Sequence, residues 1–269
     1  MTNILIKKVS MKKIMHYRSP TTIEIEKYNN SGFLVVNNVI VQEDVKTLKK
    51  ICDIVIENKE KFAVRDWAWA KKDGKLDERK FKIIQTTISD KFEEIGQMSF
   101  RKWSIHFASE LLGEPVKFWY DQFLAKSPGF NAPTPWHQDE AYWGPTLNNQ
   151  GITCWMPFQD VNTNNGCMHF IKNGHKKGIL KHTNPEQMQS DQLICDIEDS
   201  VIISCPIRVG SITFHHSKMP HMTTANKTDK MRYALSQHFH TESAKIDTKQ
   251  QYNWKVIRTQ IKDETTESP

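Results

Sequence analysis

Between Gln42 and Glu60, apolar residues recur at three- and four-residue steps. Val45, Leu48, Ile51, Ile54 and Val55 stand among Lys and Glu, the pattern of a helix with one buried face. A shorter helix is predicted from Ile23 to Asn30, followed by a strand and turn over Gly32-Phe33-Leu34-Val35-Val36-Asn37-Asn38. Ser89 to Gly113 forms a second helical region whose buried side is Phe92, Ile95, Phe100, Trp103 and Phe107. From Val116 onward the period shortens, and strands are predicted at Val116–Ala125, Ile152–Phe158, Met168–Ile171, Val201–Ser204, Ser211–Phe214 and Arg232–Phe239. Asn164-Asn165-Gly166 has the composition of a tight hairpin turn. Many short strands following helices predict a mainly β chain, a sandwich or jelly roll with helices packed on one side. No linker or repeat interrupts the pattern. It predicts a single domain over residues 21–261, a flexible N-terminal segment over 1–20 and a disordered tail over 262–269.

One polar cluster stands out within this pattern. Pro135-Trp136-His137-Gln138-Asp139 sets an imidazole and a carboxylate two residues apart, so on an extended strand both side chains face one way. The segment Ile212 to His221 supplies further imidazoles, and Arg232 follows His221 by eleven residues. Two His and one carboxylate, with coordination positions left open, is the facial triad of non-haem Fe(II) oxygenases. His221 is favoured as the third ligand by its register with Arg232, and the adjacent pair His215-His216 is its rival.

Bulk properties narrow the setting. With 38% hydrophobic and 25% charged residues, the composition is that of an ordinary globular chain, and no apolar run reaches the ~20 residues of a membrane span. The net charge of +6 comes without aromatic residues interleaved for base stacking, so a nucleic-acid partner is not expected. The positive balance instead suits an anionic small molecule. Five cysteines with no Cys-x-x-Cys pair argue against a disulfide framework and for a reducing, cytoplasmic setting, with Cys167 a buried thiol.

The residues around the cluster resemble the phytanoyl-CoA dioxygenase-like family of Fe(II)/2-oxoglutarate-dependent oxygenases. Thr134-Pro135-Trp136-His137-Gln138-Asp139-Glu140-Ala141-Tyr142-Trp143 is similar to the family's first metal motif. Asn165-Gly166-Cys167-Met168, running on to Gly174-His175, resembles the hairpin between its two metal motifs. Phe214 to Arg232, with His221, Thr223, Asn226 and Thr228, resembles its distal His and Arg block. The opening from Tyr28 through Gly32-Phe33 is similar to its N-terminal entry, and the likeness runs over roughly residues 22–245.

The resemblance implies a double-stranded β-helix, a cupin-like jelly roll, with Fe(II) at its open mouth held by His137, Asp139 and His221. It implies 2-oxoglutarate as cosubstrate beside O2, with ascorbate as a stimulant. Arg232 would take the distal carboxylate of 2-oxoglutarate through its planar fork. Gln122, Thr134, Trp155 and Thr223 match further cosubstrate positions, and Lys82 is the nearest match for a basic contact from the N-terminal region. Lys126, Tyr142, Trp143, His169 and His175 are candidate substrate contacts; His175 could equally cap the hairpin, and Trp143 could equally pack. Specificity is expected in loops around Trp67–Leu76, Phe130–Thr134, Tyr142–Gln150 and His182–Asp191. Halogenating relatives lack the carboxylate ligand, so Asp139 implies hydroxylation of an unactivated C–H bond in a small, polar or anionic substrate. Two other readings stand beside it: a cupin-like metal enzyme using the triad without 2-oxoglutarate, and a catalytically silent binding relative. Arg232 and Trp155 count against the first, the intact triad with Arg232 against the second.

Overall fold

The computed structural model describes residues 18–58, 87–129, 133–143, 147, 150–183, 194–197 and 200–245, and the backbone alone of 65–66, 69–72, 75–81 and 83–86. In chain order the elements are α1 (Thr22–Ser31), β1 (Phe33–Val36), α2 (Gln42–Glu57), β2 (Arg65–Asp66), β3 (Trp69–Lys72), β4 (Lys75–Phe81), β5 (Ile83–Thr86), α3 (Glu94–Gln97) and α4 (Ser99–Leu112). There follow β6 (Val116–Lys126), β7 (Thr134–His137), α5 (Asp139–Trp143), β8 (Gly151–Pro157), β9 (Met168–Ile171), a 3-10 turn (Gly174–Lys177), β10 (His182–Thr183), β11 (Ile194–Cys195), β12 (Ile202–Cys205), β13 (Ile212–His216), β14 (His221–Thr223) and β15 (Arg232–Thr241).

Two antiparallel sheets make a jelly roll. The major sheet runs β1-β13-β8-β15-β6-β5-β2 and the minor one β12-β9-β14-β7, with β3-β4 and β10-β11 as separate pairs. Alternation along each strand sorts the side chains into two faces. On the outer face of the major sheet, Leu34, Val36, Cys154, Met156, Phe214, Leu235 and Phe239 pack with Val45, Leu48, Ile51 and Val55 of α2 and Phe100, Trp103 and Phe107 of α4. On the inner face, Phe33, Trp155 and Ala234 meet Met168, Phe170 and Cys205 of the minor sheet. Phe33 stacks on Phe170 across the gap at 4.3 Å. The two cores therefore lie on opposite sides of one sheet, and the site is built into the inner layer.

Polar groups fix how the helices sit. The N-terminus of α1 carries a capping box, with Thr21 Oγ1 accepting from the Glu24 N–H and the Glu24 carboxylate from the Thr21 N–H. Gly32 ends that helix at φ +78°, and a Cβ there would lie 2.3 Å from both His175 and Met219, so only glycine fits. Beneath α4, Arg101 forms a buried ion pair with Asp121 at 2.7 Å, and the Asp121 carboxylate also accepts from the Ile88 and Ser89 amides.

Several expectations from the pattern are corrected. The helical region over 89–113 divides into α3 and α4, because Met98 adopts an extended ψ of 145° between them. Asn164-Asn165-Gly166 turns the chain but closes no hairpin, since β8 and β9, the strands it joins, belong to different sheets. Asp139 is not on a strand: β7 stops at His137, and the carboxylate opens the short helix α5. The small strands β2–β5 and β14 were not expected. All five cysteines are buried and unpaired. No helix among the described residues is long and apolar enough to cross a membrane.

Candidate metal centre and anion pocket

β7 and β14 pair so that His137 and His221 stand directly opposite, with ring centroids 4.1 Å apart. Each ring donates its Nδ1–H to the carbonyl two residues back, His137 to Pro135 and His221 to Met219, both at 2.8 Å. That fixes the tautomer and leaves an Nε2 lone pair on each ring aimed at the same point. Asp139 brings Oδ1 to 3.8 Å from His137 Nε2 and 3.6 Å from His221 Nε2. The three ligand atoms lie within 4.8 Å of one another, the one such cluster among the described residues.

Three acceptors converging without a proton between them fit a cation. Burial lowers the pKa of His137 and of His221 to about 4. Burial alone would raise the Asp139 carboxyl, but the imidazoles of His221, His215 and His238 hold it well below the usual carboxylate range. At neutral pH the donor set is therefore two neutral imidazoles and one carboxylate, as a divalent iron requires.

The neighbours of the motif hold it in place. Gln138, fully buried, donates to the carbonyls of Gly178 (2.7 Å) and Lys218 (2.6 Å) and accepts from the Leu180 N–H (2.7 Å). Glu140 accepts from Ser217 Oγ at 2.6 Å and faces Lys218 Nζ at 3.6 Å. Both tie the turn before β14 to α5, so the Met219 carbonyl that orients His221 is locked to the element carrying Asp139. The sequence pattern offered no role for either residue.

A second buried site lies along the inner face. Arg232, 2% exposed, opens β15 opposite Lys126. Its one hydrogen bond among the described residues is a long 3.4 Å contact to the Leu124 carbonyl, and its Nε has no partner. Trp155 lies 5.8 Å from the guanidinium carbon. The buried hydroxyls of Thr223 and Thr224 also lack partners. Thr223 sits two residues along β14 from His221, on the same face as that metal-side ring. A buried guanidinium whose Nε lacks an acceptor can take an anion, with the Thr223 hydroxyl on the metal-side face as a further donor. Burial lowers the Arg232 pKa to about 9, which leaves it charged at neutral pH.

The profile of the phytanoyl-CoA dioxygenase (PhyH) family matches residues 28–234, which takes in both sites. The chain belongs to this family. Among its relatives, peroxisomal phytanoyl-CoA dioxygenase of Mus musculus is 25% identical, over 81% of this chain and 68% of that protein. In fold it is similar to EvdO2 of Micromonospora carbonacea var. aurantiaca, crystallised with 2-oxoglutarate, at a TM-score of 0.69 and 23% identity over 88% of this chain and 97% of that one. It is also similar to the epimerase SnoN, crystallised with Fe3+, alpha-ketoglutarate and nogalamycin RO, at a TM-score of 0.67 and 17% identity over 82% and 84%. The phytanoyl-CoA dioxygenase-family protein described here is an Fe(II)- and 2-oxoglutarate-dependent oxygenase.

Within this family member, the remaining predicted residues fall in different places. Gln122 and Trp155 share one inner-face row, each directly opposite Ser236, and Thr134 pairs with Thr223. Tyr142 stands edge-on to His137 at 5.9 Å, beside the ligand cluster. Four candidate substrate contacts lie elsewhere. Lys126 is buried beside Arg232 and donates to the Thr223 and Thr224 carbonyls (3.1 and 2.8 Å), which puts it in the anion pocket. Trp143 is 1% exposed, spends its N–H on Tyr120 Oη at 2.7 Å and packs with Trp119 and Leu147. His169 alternates with the inward Phe170 and therefore faces away from the metal. His175 bonds the Asn29 carbonyl and caps the end of α1. Lys82, and most of the loops expected to set specificity, lie outside the described residues. Thr153, which no motif singled out, and His215, weighed only as a rival to His221, reach the outer oxygen of Asp139. The period-2 alternation of β8 and β13, applied through the sheet, is the signal that finds them.

Proposed function

We propose that this oxygenase hydroxylates an unactivated C–H bond of a small, polar or anionic substrate, converting 2-oxoglutarate and O2 to succinate and CO2. The observation that carries the reading is the buried Arg232, with an unpartnered Nε, on the same inner layer as the His137/Asp139/His221 cluster. An oxygenase that uses no 2-oxoglutarate has no need of a buried cation there.

In this reading His137 and His221 hold Fe(II) through Nε2, and Asp139 through Oδ1. Arg232 grips the distal carboxylate of 2-oxoglutarate with its planar fork, and the Thr223 hydroxyl adds a hydrogen bond. Lys126 holds the Thr223–Thr224 backbone around that end; burial and the Arg232 charge push its ammonium pKa well down. Trp155 closes the floor of the pocket, Gln122 and Thr134 edge it, and Tyr142 lines the side where a substrate approaches. The metal and cosubstrate together supply the oxidising chemistry. The protein orients both, keeps the donor atoms unprotonated and excludes water. Asp139 fills the position that would otherwise admit a halide, which favours hydroxyl transfer.

The test is oxygen-dependent turnover of 2-oxoglutarate by iron-loaded protein with pools of amino acids, phosphonates, carboxylates and acyl-CoA esters, using labelled O2. A polar or anionic pool should stimulate succinate formation and yield a product carrying one labelled oxygen. Stimulation by long acyl-CoA esters alone would overturn the substrate class.

A further inference from the structure

Thr153, His215 and His238 form one cross-strand row on the inner face of the major sheet. Thr153 on β8 stands opposite His215 on β13 at one side and His238 on β15 at the other. All three are buried, at 1%, 1% and 3% exposure, and the row lies directly behind Asp139. Thr153 Oγ1 is 2.6 Å from Asp139 Oδ2, His215 Nε2 is 3.3 Å from the same oxygen, and His238 Nδ1 is 3.0 Å from Thr153 Oγ1.

The protons can be assigned from these distances. A carboxylate that ligates a metal is ionised and only accepts hydrogen bonds. Thr153 therefore donates its single proton to Oδ2, and its oxygen accepts the Nδ1–H of His238. His215 donates its Nε2–H to Oδ2. What remains is a lone pair on His215 Nδ1 and another on His238 Nε2, and those are the two ring atoms of this row without a partner.

We infer that Thr153 and His215 are positioning residues that restrict Asp139 to a one-oxygen ligand. Oδ2 is occupied on the protein side, so only Oδ1 is presented beside the two Nε2 atoms. A carboxylate free to bind through both oxygens would take a coordination position needed by the cosubstrate or O2. The row also explains the adjacent imidazoles of β13. His215 points inward to the carboxylate, while His216, its neighbour on the alternate face, packs near His175 with ring centroids 5.5 Å apart. This inference rests on the triad reading and goes one layer further out.

The experiment is anaerobic titration of the metal-free protein with Co(II) alone, read by Co(II) absorption, with far-UV circular dichroism confirming the fold. Residues supporting a metal ligand typically contribute 10–100-fold in affinity. Thr153→Val, which keeps the shape and removes the hydroxyl, should bind Co(II) ~10–100-fold more weakly. Thr153→Ser, which keeps the hydroxyl, should stay within about threefold of the parent. Parent-like affinity in Thr153→Val, or equal weakening in both variants, overturns the inference. Should Thr153→Val not fold, His215→Gln takes its place: about tenfold weaker binding supports the role and parent-like binding overturns it. Asp139→Ala separates the two levels. If it binds Co(II) like the parent, the triad reading fails; if it loses Co(II) while Thr153→Val does not, only the positioning role fails.

Discussion

Replacing Arg232 with Met removes a cation that is 2% exposed and, among the described residues, has one long hydrogen bond and an unpartnered Nε. Little protein–protein bonding is lost, and an uncompensated buried charge disappears. Stability of the metal-free protein should stay the same or rise by up to ~2 kcal/mol. Cosubstrate binding should respond in the opposite direction. Two charge-assisted hydrogen bonds at ~1.5 kcal/mol or more each give a loss of about 3 kcal/mol, or ~150-fold in Kd. The assay is thermal unfolding of Co(II)-loaded protein with and without 2-oxoglutarate at ~100 times the parent Kd. The parent gains ~2.7 kcal/mol, which for a chain of this size is a rise of ~5–10 °C in Tm. At the same concentration Arg232→Met gains only about 0.3 kcal/mol, a rise near ~1 °C. A variant that melts several degrees lower without ligand, yet keeps the full 2-oxoglutarate shift, would refute the reasoning.

Three further outcomes follow from the same structure. Gly166 sits at φ +96°, where a Cβ would lie 3.0 Å from the Thr224 carbonyl and 3.3 Å from Arg232 Nε. Gly166→Ala should therefore raise the KM for 2-oxoglutarate more than it lowers kcat, and an unchanged KM would show that the loop does not shape the pocket. Asp121→Ala strands the buried Arg101 and should cost about 3–5 kcal/mol by chemical denaturation; a loss below ~1 kcal/mol would contradict the burial argument. Burial depresses His137, His221 and His238 to about 4 and His216 to about 3, below the usual 6.5. The unfolded chain then binds more protons between those values and 6.5, so metal-free stability should be full above pH 6.5 and fall as pH drops towards 4. Denaturant midpoints equal at pH 7 and pH 5 would contradict it.

The strands that build the inner layer were legible because they are long or regular. β6 and β15 run for 11 and 10 residues, and the 3.6-residue stripe of α2 shows its buried side directly. The metal ligands were legible because residue type and order survive without any knowledge of backbone shape. His-x-Asp led to the right residues, although Asp139 starts a helix instead of extending a strand. What stayed hidden depends on partners distant in sequence. β14 has three residues and no pattern of its own; it exists because β7 and β9 flank it. His215 and Thr153 gain their role from a carboxylate 76 and 14 residues away. Lys126 reads in the sequence as a substrate contact beside a motif, and only the pairing of β6 with β15 sets it against Arg232.

The central claim is that His137, Asp139 and His221 form the iron site of a 2-oxoglutarate-consuming enzyme. Its most direct test is succinate formation from 2-oxoglutarate by purified protein with Fe(II), O2 and ascorbate, compared with Asp139→Ala under the same conditions. Iron-dependent succinate is expected from the parent and none above background from the variant. Succinate formed at the parent rate by Asp139→Ala would contradict it.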